Sequence, residues 1–234
     1  MVAAAALHHA KERSSRGLTL LEGHHVVSAA IQRGAHLEEV FVREGTSRLP
    51  AGGRELNVIE VTDPVLERLA GTGSPAGPIA VMKIPVSARL ETHPTVVLCG
   101  IADPGNTGTL IRTAAAFGYH VAVAPGSADP WSPKVLRSAA GGHFFTRITR
   151  LGAQLDAALS AADLLGVALV SRDGQDLDEA LDGTLALLVG SEAHGLDATA
   201  LAAARQRVTI AMAPGSESLN AAVAGAIAMH RYRQ

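Results

Sequence analysis

TVVLCGIADPGNTGTLIRTAAAFG, residues 95–118, sets the fold class. It opens on an unbroken apolar run, Thr95 to Cys99, ended by Gly100, the pattern of a strand buried on both faces. Asp103-Pro-Gly then reads as a tight turn. A helix is expected from about 106 to 117, stopping at Gly118. A buried strand handed straight to a helix is half of a βαβ unit, and such units build parallel sheets with helices on their faces.

The same rhythm runs through the rest of the chain. After residue 118 strands are expected at 120–124, near 144–148, and at 165–170, 185–190 and 208–212. Helices are expected at 132–140, 153–162 and from Ser218 to about Arg231. Ahead of residue 95, strands are expected at 18–21, 39–43, 56–61 and within 78–85, and helices at 22–33 and 62–71. This alternation predicts α/β layers with largely parallel pairing. Residues 1–16 are Ala-rich and then basic, fitting a loose helix or a disordered start. Residues 86–94 have no periodicity and carry Pro at both flanks. They divide the chain into 1–85, a linker at 86–94, and 95–234.

Composition narrows the function classes. The chain has 234 residues, 47% apolar and 18% charged, and a net charge of −2. That is a globular composition and not a strongly basic clamp. The charge is uneven. Residues 1–90 hold ten Lys/Arg against nine Asp/Glu, and residues 91–234 hold ten against thirteen. The lone cysteine, Cys99, excludes an intrachain disulfide and a Cys-type metal site, so no metal is expected. No segment reads as a membrane span, and a cytoplasmic location is expected.

Three Gly-containing polar blocks sit at strand ends, where parallel α/β folds bind ligands. In the first, Asn106 either caps its helix or serves a ligand. Arg112, six residues on, lies roughly on the same side of that helix, about 9 Å along the axis. In the second, GSEAHGL at 190–196, Gly190 would let backbone approach a ligand, and Ser191 and Glu192 bring polar groups. In the third, IAMAPGSESLN at 210–220, Ser216 or Ser218 can cap the last helix, with Asn220 on its first turn. The dinucleotide spacing G-x-G-x-x-G is absent, which argues against a nucleotide-dependent oxidoreductase.

In this order and context the blocks resemble the SpoU (TrmH-like) branch of the SPOUT RNA methyltransferases. The resemblance covers nearly the whole chain. Asn106 and Arg112 match the first motif, Glu192 the second, and Ser218 and Asn220 the third. It implies a SPOUT domain with a parallel sheet and trefoil knot, preceded by a small ribosomal-protein-like α/β substrate-binding domain. It implies transfer of a methyl group from S-adenosylmethionine (SAM) to a ribose 2′-hydroxyl of RNA, by a homodimer. Ribosomal RNA of the large subunit is the first expectation. A tRNA substrate, or a catalytically silent RNA-binding protein, are the alternatives. Gly190, Ser191, Ile210, Met212 and Leu219 are expected at the cofactor. Arg16, His24, His25, Arg33, Lys134 and Arg137 are expected to meet RNA. His25 stands where relatives often carry Arg. Arg112 is expected to face the hydroxyl, with Glu192 fixing loop geometry or pairing with Arg112.

Overall fold

The computed structural model describes every residue except 1, 46–48, 50–55, 71–74, 76 and 234, so the expected stop at Gly71 lies outside the described residues. A helical turn α1 (Val2–Ala5), a 3₁₀ turn (Ala6–His8) and α2 (Ala10–Arg16) lead into β1 (Leu18–Glu22). Next come α3 (His24–Gln32), β2 (Leu37–Arg43), β3 (Val58–Val61), α4 (Asp63–Ala70) and β4 (Ile79–Lys83). The four strands form one sheet in the order β1-β4-β2-β3.

This sheet is mixed, contrary to the expected largely parallel pairing. β4 runs antiparallel to both β1 and β2, and only β2–β3 is parallel. β4 is buried from Ile79 to Met82, and it takes the slot between β1 and β2 where both of its edges are satisfied. The first residues also depart from expectation. They are helical and docked: Leu7 packs with Leu66 and Leu69 in the core of this sheet.

Irregular chain at 84–94 joins the second sheet. It contains β5 (Thr95–Cys99), α5 (Pro104–Phe117), β6 (His120–Val123), α6 (Pro133–Ser138), a 3₁₀ turn (Gly142–Phe144) and β7 (Ile148–Arg150). Then follow α7 (Leu155–Ala161), β8 (Leu165–Leu169), β9 (Gln175–Asp176), β10 (Leu185–Gly190), α8 (Ala198–Ala203), β11 (Gln206–Thr209) and α9 (Ala221–Arg231). The strand order is β7-β6-β5-β10-β8-β11-β9 and every pair is parallel. β5 and β10, neighbours at the centre, are buried along almost their full length, as strands covered on both faces must be. α5 and α9 lie on one face with Val96, Leu98, Leu187 and Val189; α7 and α8 lie on the other with Val97, Ala186 and Leu188.

Several boundaries move. The strand expected near 144–148 is the 3₁₀ turn at 142–144 followed by β7, and β9 and α8 were not anticipated. The last strand ends at Thr209, leaving 210–219 irregular, and the last helix begins at Ala221. α9 presses closely on α5, because a Cβ at Gly225 would stand 2.5 Å from Leu110 Cδ2.

The two sheets are joined through buried polar contacts. Arg13, only 4% exposed, donates to the carbonyls of Leu7 (3.0 Å) and His8 (2.9 Å) and pairs with Asp129 at 2.6 Å. Arg150 holds the other oxygen of Asp129 at 2.5 Å. Burial by itself would raise the Asp129 pKa, but the Arg13 hydrogen bond, the Trp131 N–H and the Arg150 charge outweigh it and hold it below the usual range. Thr19 donates to the Trp131 carbonyl (2.6 Å), so β1, an edge strand, is covered by the second unit. Arg137 on α6 pairs with Glu22 at 2.5 Å.

Beside Trp131, His143 is 4% exposed. Its Nε2–H donates to the Pro130 carbonyl (2.7 Å), and burial pushes its pKa down from 6.5 to about 4. The folded state therefore stays unprotonated where the unfolded chain takes up a proton. His143 adds stability that is fully present above pH 6.5 and is lost as pH falls toward about 4. Urea unfolding of the wild type and His143→Gln should show the stability difference shrinking by up to about 1.4 kcal/mol per pH unit in that window. A difference that does not change with pH would mean that His143 titrates alike in both states.

Candidate active site

The first motif is shaped by a cap. Asp103 N-caps α5, its Oδ1 accepting the Asn106 backbone N–H at 2.8 Å, with Pro104 in the first turn. Capping is thus done by Asp103, and the Asn106 side chain is released. Its Nδ2 donates to Glu192 Oε1.

Glu192 lies just past β10, in a turn closed by two hydrogen bonds. Ser191 N–H donates to Gly195 O (3.0 Å) and Gly195 N–H to Ser191 O (2.9 Å). A Cβ on Gly190 would stand 2.3 Å from the Gly195 carbonyl carbon. Gly190 is therefore required by the return of its own loop. Gly195 itself turns at φ +65°.

The third motif ends in another cap. Asn220, rather than Ser216 or Ser218, caps α9: its Oδ1 accepts from Ala222 N (3.0 Å) and Val223 N (3.2 Å). Its Nδ2 donates to Asn106 Oδ1 at 3.1 Å and reaches Glu192 Oε1 at 3.5 Å. Asn106, Glu192 and Asn220, one from each motif, thus close a ring of hydrogen bonds.

A cavity of about 380 Å³ opens beside this ring. Gly190, Ser191, Ile210, Met212 and Leu219, the residues expected at a cofactor, all line it, together with Glu192 and Ser218. Three further lining residues, Leu169, Val170 and Ser171, were missed by sequence reading. The available signal was their place at the C-terminal end of a buried strand in a parallel sheet. His194 also lines the cavity, and its N–H donates to Ser191 Oγ (3.2 Å).

Arg112 projects from the exposed side of α5 and has no hydrogen bond or ion pair among the described residues. The expected alternative of a Glu192–Arg112 pair is not formed; Glu192 is taken by the two amides. The Arg112 backbone is closely overlaid: a Cβ on Gly142 would lie 2.9 Å from Arg112 Cα.

The expected RNA-facing residues fall on both units, and Arg33 and Arg137 make contacts across their junction. His24 and His25 begin α3 and are exposed. Arg33 caps its far end, with Cζ 4.4 Å from the centre of the Phe145 ring. Lys134 is exposed on α6. Arg137 is half-buried and engaged with Glu22, and Arg16 donates to the Ala3 carbonyl. Among the described residues no group of three or more His, Cys, Asp or Glu could hold a metal ion, and no helix is long and apolar enough to cross a membrane.

Residues 93–230 match the model of the SpoU rRNA Methylase family, and residues 3–80 match the MRM3-like substrate binding domain. The chain belongs to the SpoU rRNA methylase family. It is 31% identical to the Bacillus subtilis 23S rRNA (guanosine(2553)-2′-O)-methyltransferase RlmP, over 97% of this chain and 93% of that protein. A TrmH-family protein from Porphyromonas gingivalis has the same fold, with a TM-score of 0.89 at 28% identity, covering 99% of this chain and 96% of its own. An rRNA methyltransferase from Sinorhizobium meliloti, solved with AdoMet (SAM) bound, shares the fold at a TM-score of 0.87 and 24% identity, covering 98% and 92%.

The ring gives this member of the SpoU family a separable test of stability and function. Asn220→Ala should lower stability by about 1 kcal/mol through the lost cap, read by urea unfolding. Asn220→Asp keeps a capping oxygen, so stability should return. It cannot donate to Asn106, and it sets a second carboxylate beside Glu192. Both variants should lose methyl transfer by about tenfold or more, a loss above the 1.4 kcal/mol that corresponds to one decade. An active Asn220→Asp enzyme would show that the ring is not needed.

Proposed function

We propose that this SpoU-family RNA methyltransferase transfers a methyl group from SAM to a ribose 2′-hydroxyl of 23S rRNA in the cytoplasm. The observation that carries the reading is the meeting of all three motifs at Glu192, on the rim of a cavity sized for a small ligand. The identity with RlmP, which extends over nearly the whole of both chains, supports the choice of 23S rRNA and of the 2′-oxygen.

The cavity fits SAM in size and chemistry. About 380 Å³ lies in the range of small-ligand sites, roughly 300–1,000 Å³. Leu169, Val208, Ile210 and Leu219 offer apolar walls, and Ser171, Ser191, Ser218 and Glu192 offer hydrogen-bonding groups. When bound, SAM supplies a methyl group on a sulfonium that is already electrophilic.

The protein's own residues then have two tasks. Alignment of the hydroxyl with the methyl donor falls to the Asn106–Glu192–Asn220 ring and Ser218; good alignment contributes up to roughly 7–11 kcal/mol in favourable cases. Charge developing on the 2′-oxygen falls to Arg112. Its guanidinium is a planar cation with N–H donors and no acceptor, so it is a poor base and a good cationic fork. Its side chain has no partner among the described residues, so it is available to a phosphate and to the nascent oxyanion. The 2′-hydroxyl also separates RNA from DNA.

The front unit, residues 1–85, is assigned to holding RNA, joined through 86–94 to the methyl-transferring unit 95–234, in which the trefoil knot would be formed. A homodimer is assigned through α9. Its alanines at 221, 222 and 228 are buried within the subunit, and the outward side carries Val223 (48% exposed) and Ile227 (37%).

Purified protein with methyl-labelled SAM should label 23S rRNA from cells lacking the enzyme, at a ribose. Label appearing only in tRNA would redirect the substrate, and label in neither would favour a silent RNA-binding protein. Arg112→Ala should lose about 10²- to 10³-fold in turnover while SAM affinity holds. Arg112→Lys should fail comparably, since a point charge does not replace a planar fork. Substantial turnover by either variant removes Arg112 from the chemistry.

A further inference from the structure

Phe145 is 50% exposed in a chain that is only 3% aromatic. Its backbone is fixed by the turn that carries it. Its N–H donates to Gly142 O (3.0 Å), and next to it Thr146 donates to the Tyr119 carbonyl (2.6 Å). The guanidinium of Arg33, itself exposed, lies 4.4 Å from the ring centre.

The turn that carries Phe145 is wedged between two elements. A Cβ on Gly141 would stand 3.1 Å from Ala29 Cβ in α3, and one on Gly142 would stand 2.9 Å from Arg112 Cα in α5. Gly141 also holds φ at +88°, which disfavours any side chain there. The end of α3, the Phe145 turn and the helix of Arg112 therefore form one continuous surface. The ring is half in water, on a backbone fixed by hydrogen bonds, with a cation over it. The same pairing of ring and guanidinium is what holds unstacked nucleobases.

We infer that Phe145 and Arg33 form a stacking platform for an unpaired RNA base that flanks the target ribose. The inference rests on the RNA-methyltransferase reading above. A π-face accepts any base, so the platform adds affinity and register without base identity. Bases inside a duplex are stacked on one another, so it favours a loop or bulge. Arg33 adds a positive charge for the neighbouring phosphate, and Arg112 on the adjoining helix then meets the next ribose.

Filter binding of a 23S rRNA transcript made in vitro tests this. Phe145→Leu and Phe145→Ala should weaken binding about 5- to 150-fold, the range for loss of one stacked base, whereas Phe145→Trp should stay close to wild type. SAM affinity and sedimentation should not change in any of the three. The platform is overturned if Phe145→Leu binds within about twofold of wild type, well below the stacking range. It is also overturned if Phe145→Trp loses as much as Phe145→Leu, which marks a packing role, or if a variant alters the association state, which marks a subunit contact. Methylation of the transcript by wild type is scored in parallel. Binding without methylation counts against the 23S rRNA reading alone, and the position-145 series still decides the platform. A wild type that does not bind the transcript overturns both.

Discussion

Everything near the cavity depends on one carboxylate oxygen. Glu192 Oε1 accepts the side-chain amides of Asn106 and Asn220, and these belong to segments 86 and 28 residues away. Each amide is in turn tied to a helix. Asn220 caps α9 with its other end, and Asn106 rides on the first turn of α5, whose cap is Asp103. The positions of two helix N-termini and of the turn after β10 are thereby coupled. Such a network holds only when every member is satisfied. It explains why an amide stands at 106 and again at 220. An amide can both donate and accept, whereas a second carboxylate could only repel Glu192.

The second constraint joins the two sheets. Arg13, Asp129 and Arg150 form a bridge with its centre largely out of water, and Thr19 with Trp131 and Glu22 with Arg137 add further links. A buried pair of this kind offers modest net stability, because desolvation offsets attraction, but removing one partner is costly. Its consequence here is geometric. The surface of α3 is held at a fixed distance from α5, so the RNA contacts proposed for the front unit would be in register with Arg112. The irregular segment 84–94 is a connection and not the source of the arrangement.

Much of this was legible in the sequence, for identifiable reasons. The buried strands at 95–99 and 185–190 announce themselves as unbroken apolar runs, and a parallel sheet follows from them. The three polar blocks mark the candidate site because each places Gly and hydrogen-bonding side chains at a strand end of a parallel sheet, in the order that the SpoU resemblance expects. What stayed hidden depends on contacts between distant segments. β4 lies between β1 and β2 through long-range pairing, which no local period encodes. The role of Gly190 is set by Gly195, and the capping role of Asn220 shifts the start of α9 by about a turn from the expected Ser218. Arg13 read as part of a loose basic tail because its partner, Asp129, is 116 residues away. Phe145 drew no notice for the same reason: its meaning comes from Arg33 and from the helix of Arg112.

The fate of the methyl group in the cell decides the reaction and its substrate together. Ribose methylation mapped across all RNA, in cells with the protein and in cells without it, is the decisive measurement. The expected result is the loss of one 2′-O-methyl mark in 23S rRNA, in a loop or bulge, restored by wild type and not by an Arg112→Ala copy. An unchanged ribose-methylation map, or a change confined to base methylation, would contradict the central claim.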